Sequence, residues 1–192
     1  ITMVPNMVTR TDFNRYMMPT YKPANFIPSK AKGSIVWDKK NKKYIDFASG
    51  IAVSSLGHCH PILNKALVEQ SKKIWHLSNL LVNEPAMRLA KIFCKHTFAE
   101  KVFFANSGAE AVEGAIKTAR KHAYENISKK KNEIVSFSDA FHGRTMMAIA
   151  LNGSDRFVKG FVPMPSGIKN HPFNETKKLE KVITKKTEAV VI

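Results

Sequence analysis

Phe103-Phe104-Ala105-Asn106-Ser107-Gly108-Ala109-Glu110-Ala111 decides the fold, because a short apolar run breaks at Asn-Ser-Gly and leads straight into a helical pattern. Lys101 to Ala105 predicts a strand and Gly108 to about Asn126 a helix. Val112, Ala115, Ile116, Ala119 and Ala123 give that helix one face of small residues, suited to lying close against a sheet. Glu133 to Phe137 predicts a second strand and Glu175 to about Lys186 a further helix. Ala189-Val190-Val191-Ile192 predicts a third strand, wholly apolar as for a strand covered on both faces. Strands and helices alternating through short connections specify an α/β fold, a mainly parallel sheet with flanking helices.

Upstream the pattern changes. Pro19, Pro23 and Pro28 space out an extended arm. Ser34 to Asp38 and Lys43 to Phe47 are apolar-rich runs around the polar turn Lys39-Lys40-Asn41-Lys42, which predicts a hairpin with its lysines on a solvated turn. From Pro61, the spacing of Ile62, Leu63, Ala66, Leu67 and Ile74 is helical. A second helix is expected from Glu84, capped by Asn83, with Pro85 in its first turn. The domain reading is therefore 1–60 as arm and hairpin of a small domain, and 61–192 as the first part of a large one. A parallel strand needs neighbours and a connection leading away from its carboxyl end, so a chain stopping in such a strand is expected to be the amino-terminal part of a longer protein. Ile at position 1 suits a trimmed start.

Composition excludes several classes. The 192 residues, 44% hydrophobic, are enough for a sizeable core. Lys plus Arg number 31 against 15 acidic residues, a formal charge of +16. Yet 25 of the 31 are dispersed lysines, without the arginine forks that clamp phosphates or read bases, so neither nucleic acid nor a membrane is an expected partner. Cys59 and Cys94 are too few for a disulfide scaffold, and a reducing cytoplasm is the expected location. No apolar run approaches the roughly 18 residues of a membrane span, and Pro5 and Asn6 interrupt any secretory core.

The Ser107 turn has the makings of an anion site. The first amides of a helix, here around Gly108 and Ala109, lack intrahelical acceptors, and the helix dipole adds partial positive charge. Gly108 admits close approach of a phosphate, and the Ser107 hydroxyl adds a donor. The plainer reading is a capping serine followed by a turning glycine. Gly-x-Gly-x-x-Gly and Gly-x-x-x-x-Gly-Lys-Ser/Thr are both missing from this stretch, which removes the dinucleotide and P-loop readings. Ser138-Asp139-Ala140-Phe141-His142-Gly143-Arg144-Thr145 follows the next strand and opens at the same sheet edge. Phe141 can there cover a flat cofactor and Arg144 can hold a carboxylate through paired hydrogen bonds, or they are a core Phe and a surface Arg. His58-Cys59-His60 has too few ligands for a structural zinc, and a lone His142 reads as a packing or hydrogen-bonding residue.

Asn106-Ser107-Gly108-Ala109-Glu110-Ala111-Val112-Glu113 followed by Ala140-Phe141-His142-Gly143-Arg144-Thr145 resembles the class III, ornithine-type aminotransferases that use pyridoxal 5'-phosphate. Asp46-Phe47-Ala48-Ser49-Gly50, Leu56-Gly57-His58-Cys59-His60-Pro61, Ser78-Asn79, Asn83-Glu84-Pro85-Ala86 and His171-Pro172-Phe173-Asn174 extend the likeness over nearly the whole chain, in particular to the acetylornithine aminotransferase group. The resemblance implies a fold type I transferase with its large, pyridoxal-phosphate-binding domain incomplete in this chain. It also implies a homodimer with sites at the subunit interface. On it, Ser107, Gly108 and Ala109 bind the cofactor phosphate, Phe141 stacks on the pyridine ring and Arg144 pairs with a substrate carboxylate. The implied reaction moves an amino group between N-acetylornithine and 2-oxoglutarate in arginine biosynthesis. Succinylornithine, succinyldiaminopimelate, ornithine and 4-aminobutyrate enzymes share the Arg144 motif, and a non-catalytic truncated fragment is the other alternative. Ala109 stands where acetylornithine enzymes often have Thr. The resemblance places the Schiff-base lysine beyond Ile192, so no catalytic residue is expected within this chain.

Overall fold

The computed structural model describes residues 8–192. The expectation about Pro5 and Asn6 lies outside them. The chain forms two compact units, one ending at Val82 and the other running from Asn83 to Ile192.

The first unit holds helix α1 (Arg10–Tyr16), strands β1 (Pro28–Lys32), β2 (Ile35–Asp38) and β3 (Lys43–Ile45), the short helix α2 (Ser49–Ala52) and helix α3 (Pro61–Ser71). The predicted hairpin is β2–β3, antiparallel with Ile35 opposite Ile45 and Val36 opposite Tyr44. Its turn is built by the Asp38 carboxylate, which accepts from the Lys40 and Lys42 amides at 2.8 and 2.9 Å. Strand β1, opposite β2, gives no strand signal in the sequence, because Pro28-Ser29-Lys30-Ala31-Lys32 has no apolar alternation. Helix α3 starts at Pro61 as expected and ends at Ser71, so Ile74 lies outside it.

The second unit holds α4 (Glu84–His96), α5 (Gly108–Asn126), β4 (Glu133–Phe137), α6 (Met146–Asn152), α7 (Asp155–Val158), β5 (Ile168–His171), α8 (Thr176–Val182) and β6 (Thr187–Val191). Asn83 caps α4 by accepting from the Ala86 amide at 3.1 Å. The sheet is parallel with order β5-β4-β6, so the chain steps from β4 to one side and then crosses to the other. Its core is Ile116 of α5, Ile134 of β4 and Leu151 of α6, packed against Val112, Met147, Ile168, Ala189 and Val191. The α/β class is thus observed.

Three expectations need correction. Lys101 to Ala105 is no strand, because among the described residues it has no ladder partner, and Phe103 is 77% exposed. Helix α8 stops at Val182 because Ile183 is extended and Thr184 starts a turn, its amide donating to Thr187 Oγ1 at 2.9 Å. The last strand starts earlier, at Thr187, and lies at a sheet edge with Val190 42% exposed, so it is not covered on both faces by described residues. No helix among the described residues is long and apolar enough to cross a membrane.

Candidate active site

Ser107 is extended (φ −151°, ψ 163°), and its Oγ accepts from the Glu110 amide at 3.2 Å, which starts α5 at Gly108. Glu110 in turn accepts from the Asn106 amide at 2.7 Å, so the turn is tied from both sides. The Gly108 and Ala109 amides find no acceptor among the described residues. A Cβ built on Gly108 meets nothing within 4 Å among the described residues, so no side chain crowds that residue.

The loop after β4 folds back onto this turn. The Asp139 amide donates to Asn152 O at 3.0 Å and the Ser138 amide to His171 O at 2.9 Å, anchoring the loop's start. Its far end is anchored by Thr145, whose Oγ1 accepts from the Ala148 amide at 3.3 Å and caps α6. Between these anchors, Gly143 is buried with φ 127°, and a Cβ built on it would lie 2.8 Å from Ala109 Cβ. The two sequence motifs therefore meet at Gly143 and Ala109.

Phe141 is 68% exposed among the described residues. The Arg144 guanidinium carbon lies 5.2 Å from the Phe141 ring centre and 4.7 Å from that of Phe157 on α7. His142 Nε2 is buried with no hydrogen-bond partner among the described residues, and burial holds this imidazole below its usual pKa. His58 pairs with Asp46, its Nε2 2.7 Å from Oδ2, which gives it a local structural partner. Hydrogen bonding from His58, and then from the Ser49 amide, holds Asp46 below the usual carboxylate range.

Sequence reading missed two contributors. Phe157 carried no signal, since its contact with Arg144 depends on where α7 docks. Asn170 Nδ2 donates to Ser136 Oγ at 2.8 Å and to the Ala150 and Leu151 carbonyls at 3.1 Å, joining β5, β4 and the end of α6. Its polar neighbours Lys169 and His171 disguise β5 as a loop.

Comparison with known proteins agrees with this architecture. The family described as Aminotransferase class-III matches residues 16–191. The chain is 50% identical over 186 residues to the acetylornithine/succinyldiaminopimelate aminotransferase of Buchnera aphidicola subsp. Acyrthosiphon pisum, covering 97% of this chain and 46% of that protein. It is 49% identical over 194 residues to the succinylornithine transaminase of Yersinia pseudotuberculosis serotype O:1b, covering 98% and 47%. Among solved structures, the ornithine aminotransferase from Toxoplasma gondii ME49 superposes with a TM-score of 0.88 at 27% identity, covering 96% of this chain and 45% of that one. The N-acetylornithine aminotransferase from Stenotrophomonas maltophilia K279a gives 0.70 at 34% identity, covering 90% and 40%. The chain spans about half the length of the curated relatives it matches. Fold type I and dependence on pyridoxal phosphate are properties of this group. With the match running almost from end to end, the chain belongs to the class-III aminotransferases.

Proposed function

We propose that the protein containing this chain transfers an amino group between N-acetylornithine and 2-oxoglutarate in arginine biosynthesis, with pyridoxal phosphate as cofactor. The observation that carries the reading is the Gly143–Ala109 contact, which sets the Phe141–Arg144 loop beside the open amides of α5. Names of relatives near 50% identity support the substrate class, and the near-equal match to a succinylornithine transaminase keeps that donor as the second reading.

The residues present fit the cofactor. Two amides without acceptors among the described residues, at the start of a 19-residue helix with Gly108 uncrowded, suit a phosphate. In this reading the Gly108 and Ala109 amides donate to the phosphate, and the Ser107 hydroxyl, which accepts from Glu110, donates its own proton there as well. Phe141 covers one face of the ring, excluding water from it, and Arg144 holds a substrate carboxylate through paired N–H donors. The cofactor, when bound, supplies an electron sink for the carbon that gives up its proton. No residue of 1–192 is assigned the proton transfer in this reading. A cytoplasmic homodimer and the division into 1–60 and 61–192 complete it.

The test is kcat/KM of the protein as its gene encodes it, with 2-oxoglutarate and a panel of N-acetylornithine, succinylornithine, succinyldiaminopimelate, ornithine and 4-aminobutyrate. N-acetylornithine is expected to rank first. A different leading donor corrects the substrate, and inactivity towards all of them with the cofactor supplied supports the non-catalytic alternative.

A further inference from the structure

We propose that Phe157 is a positioning residue for Arg144, holding its guanidinium ready for a substrate carboxylate. The inference rests on the reading of Arg144 given above. Arg144 is fixed at its backbone on both sides, by Gly143 against Ala109 and by Thr145 at the start of α6. Its residue is exposed, and among the described residues no carboxylate or carbonyl accepts from its side chain. What meets the guanidinium is aromatic, Phe157 at 4.7 Å and Phe141 at 5.2 Å from ring centre to Cζ.

That choice of neighbour has a chemical consequence. A carboxylate partner would order the arginine but would occupy the donors that a substrate needs. A phenyl ring attracts the cation through its face and consumes none of the N–H donors. Arginine has a long, rotamer-rich side chain, and ordering it in advance removes that entropy cost from binding. Phe141 has a second task, covering the cofactor ring, whereas Phe157 is half-buried on α7 and, among the described residues, the cations over its ring are Arg144 and, at 5.6 Å, Arg156. Phe157 is thus the ring dedicated to the guanidinium.

Glutarate, a dicarboxylate with no keto group to react, is the probe. In the protein as its gene encodes it, Phe157→Leu is expected to weaken glutarate binding by calorimetry about two- to fivefold, the range of an exposed cation–ring contact. KM for 2-oxoglutarate rises equally while kcat stays level. Phe157→Tyr, which keeps the ring, restores both, and Phe157→Met, which keeps most of the volume without a ring, behaves like the leucine variant. The Arg144 side-chain protons, shifted upfield by the rings in the parent, move downfield in Phe157→Leu and Phe157→Met only. If Arg144→Gln abolishes glutarate binding while Phe157→Leu and Phe157→Met bind like the parent, the inference fails and the role of Arg144 stands. If Arg144→Gln binds glutarate like the parent, or the parent takes none, the underlying reading fails and the inference with it. Equal losses of kcat, affinity and thermal midpoint that tyrosine does not rescue mark Phe157 as merely structural, and overturn the proposal.

Discussion

Gly143 and Ala109 touch so closely that a Cβ added to the glycine would stand 2.8 Å from that of the alanine and 3.2 Å from its Cα. The contact locks the loop after β4 to the first turn of α5. It also gives the loop its conformation, since φ at Gly143 is 127°, where a side chain is strained regardless of space. One missing methyl group thus brings two distant motifs to a common edge of the sheet.

Gly143→Ala is therefore expected to destabilise the second unit by about 2 to 4 kcal/mol, combining overpacking with backbone strain. Urea unfolding followed by far-UV circular dichroism measures it. A midpoint equal to the parent's would mean that the loop and helix separate without cost.

Ser107 separates capping from anion binding. Ser107→Ala removes the acceptor for the Glu110 amide and should cost about 1 kcal/mol of stability. Ser107→Asp keeps a capping oxygen, so stability should stay within about 0.5 kcal/mol of the parent. The added negative charge should nonetheless lower affinity for pyridoxal phosphate about tenfold or more, read by fluorescence titration. Equal cofactor affinity in the aspartate variant would move the phosphate site elsewhere.

Asn170 is the pin between sheet and α6. Asn170→Ala leaves the Ser136 hydroxyl and the Ala150 and Leu151 carbonyls without their common donor, which should cost about 2 to 3 kcal/mol. Asn170→Asp should be worse, because a carboxylate would face the Ala150 and Leu151 carbonyl oxygens, with only the Ser136 hydroxyl able to donate to it. Thermal denaturation of the pair gives the order, and an aspartate variant more stable than the alanine one would contradict it.

His142 should make stability depend on pH. Burial holds its folded pKa below the usual value of 6.5, so between the two values the unfolded chain binds the extra proton. Its contribution is then complete above about pH 6.5, is lost as pH falls towards the folded pKa, and is level below that. His142→Gln should flatten that part of the profile, and the imidazole signals of the parent, followed by NMR, should titrate below 6.5. A normal or raised titration would show that the ring is not buried as neutral imidazole.

Features set by a few neighbouring residues were legible in the sequence. The start of α5 follows from Ser107, which caps it, and from Glu110, placed to tie back to Asn106. The Asn83 cap of α4, Pro61 at the start of α3 and the span of β4 likewise follow from local chemistry and periodicity. The motif residues Ser107, Gly108, Ala109, Phe141 and Arg144 could be named as candidates from the free amides of a helix start and from a loop leaving β4, although the strand expected before Ser107 is not formed among the described residues.

Tertiary structure alone decided the rest, wherever the partner lies far away in the chain. β5 is a strand because Ile168 to His171 pair with Ile134 to Phe137, and its own residues, three of the four polar, give no such instruction. Lys101 to Ala105 looks like a strand and is not one here, since a ladder needs a second backbone and none of the described residues supplies it. Arg144 could be chosen from sequence as a carboxylate holder, but its placement between Phe141 and Phe157 required α7 to dock beside it. Caps and periodicity act through bonds spanning three or four residues, whereas pairing, close approach and ring contact exist only once the chain has returned upon itself.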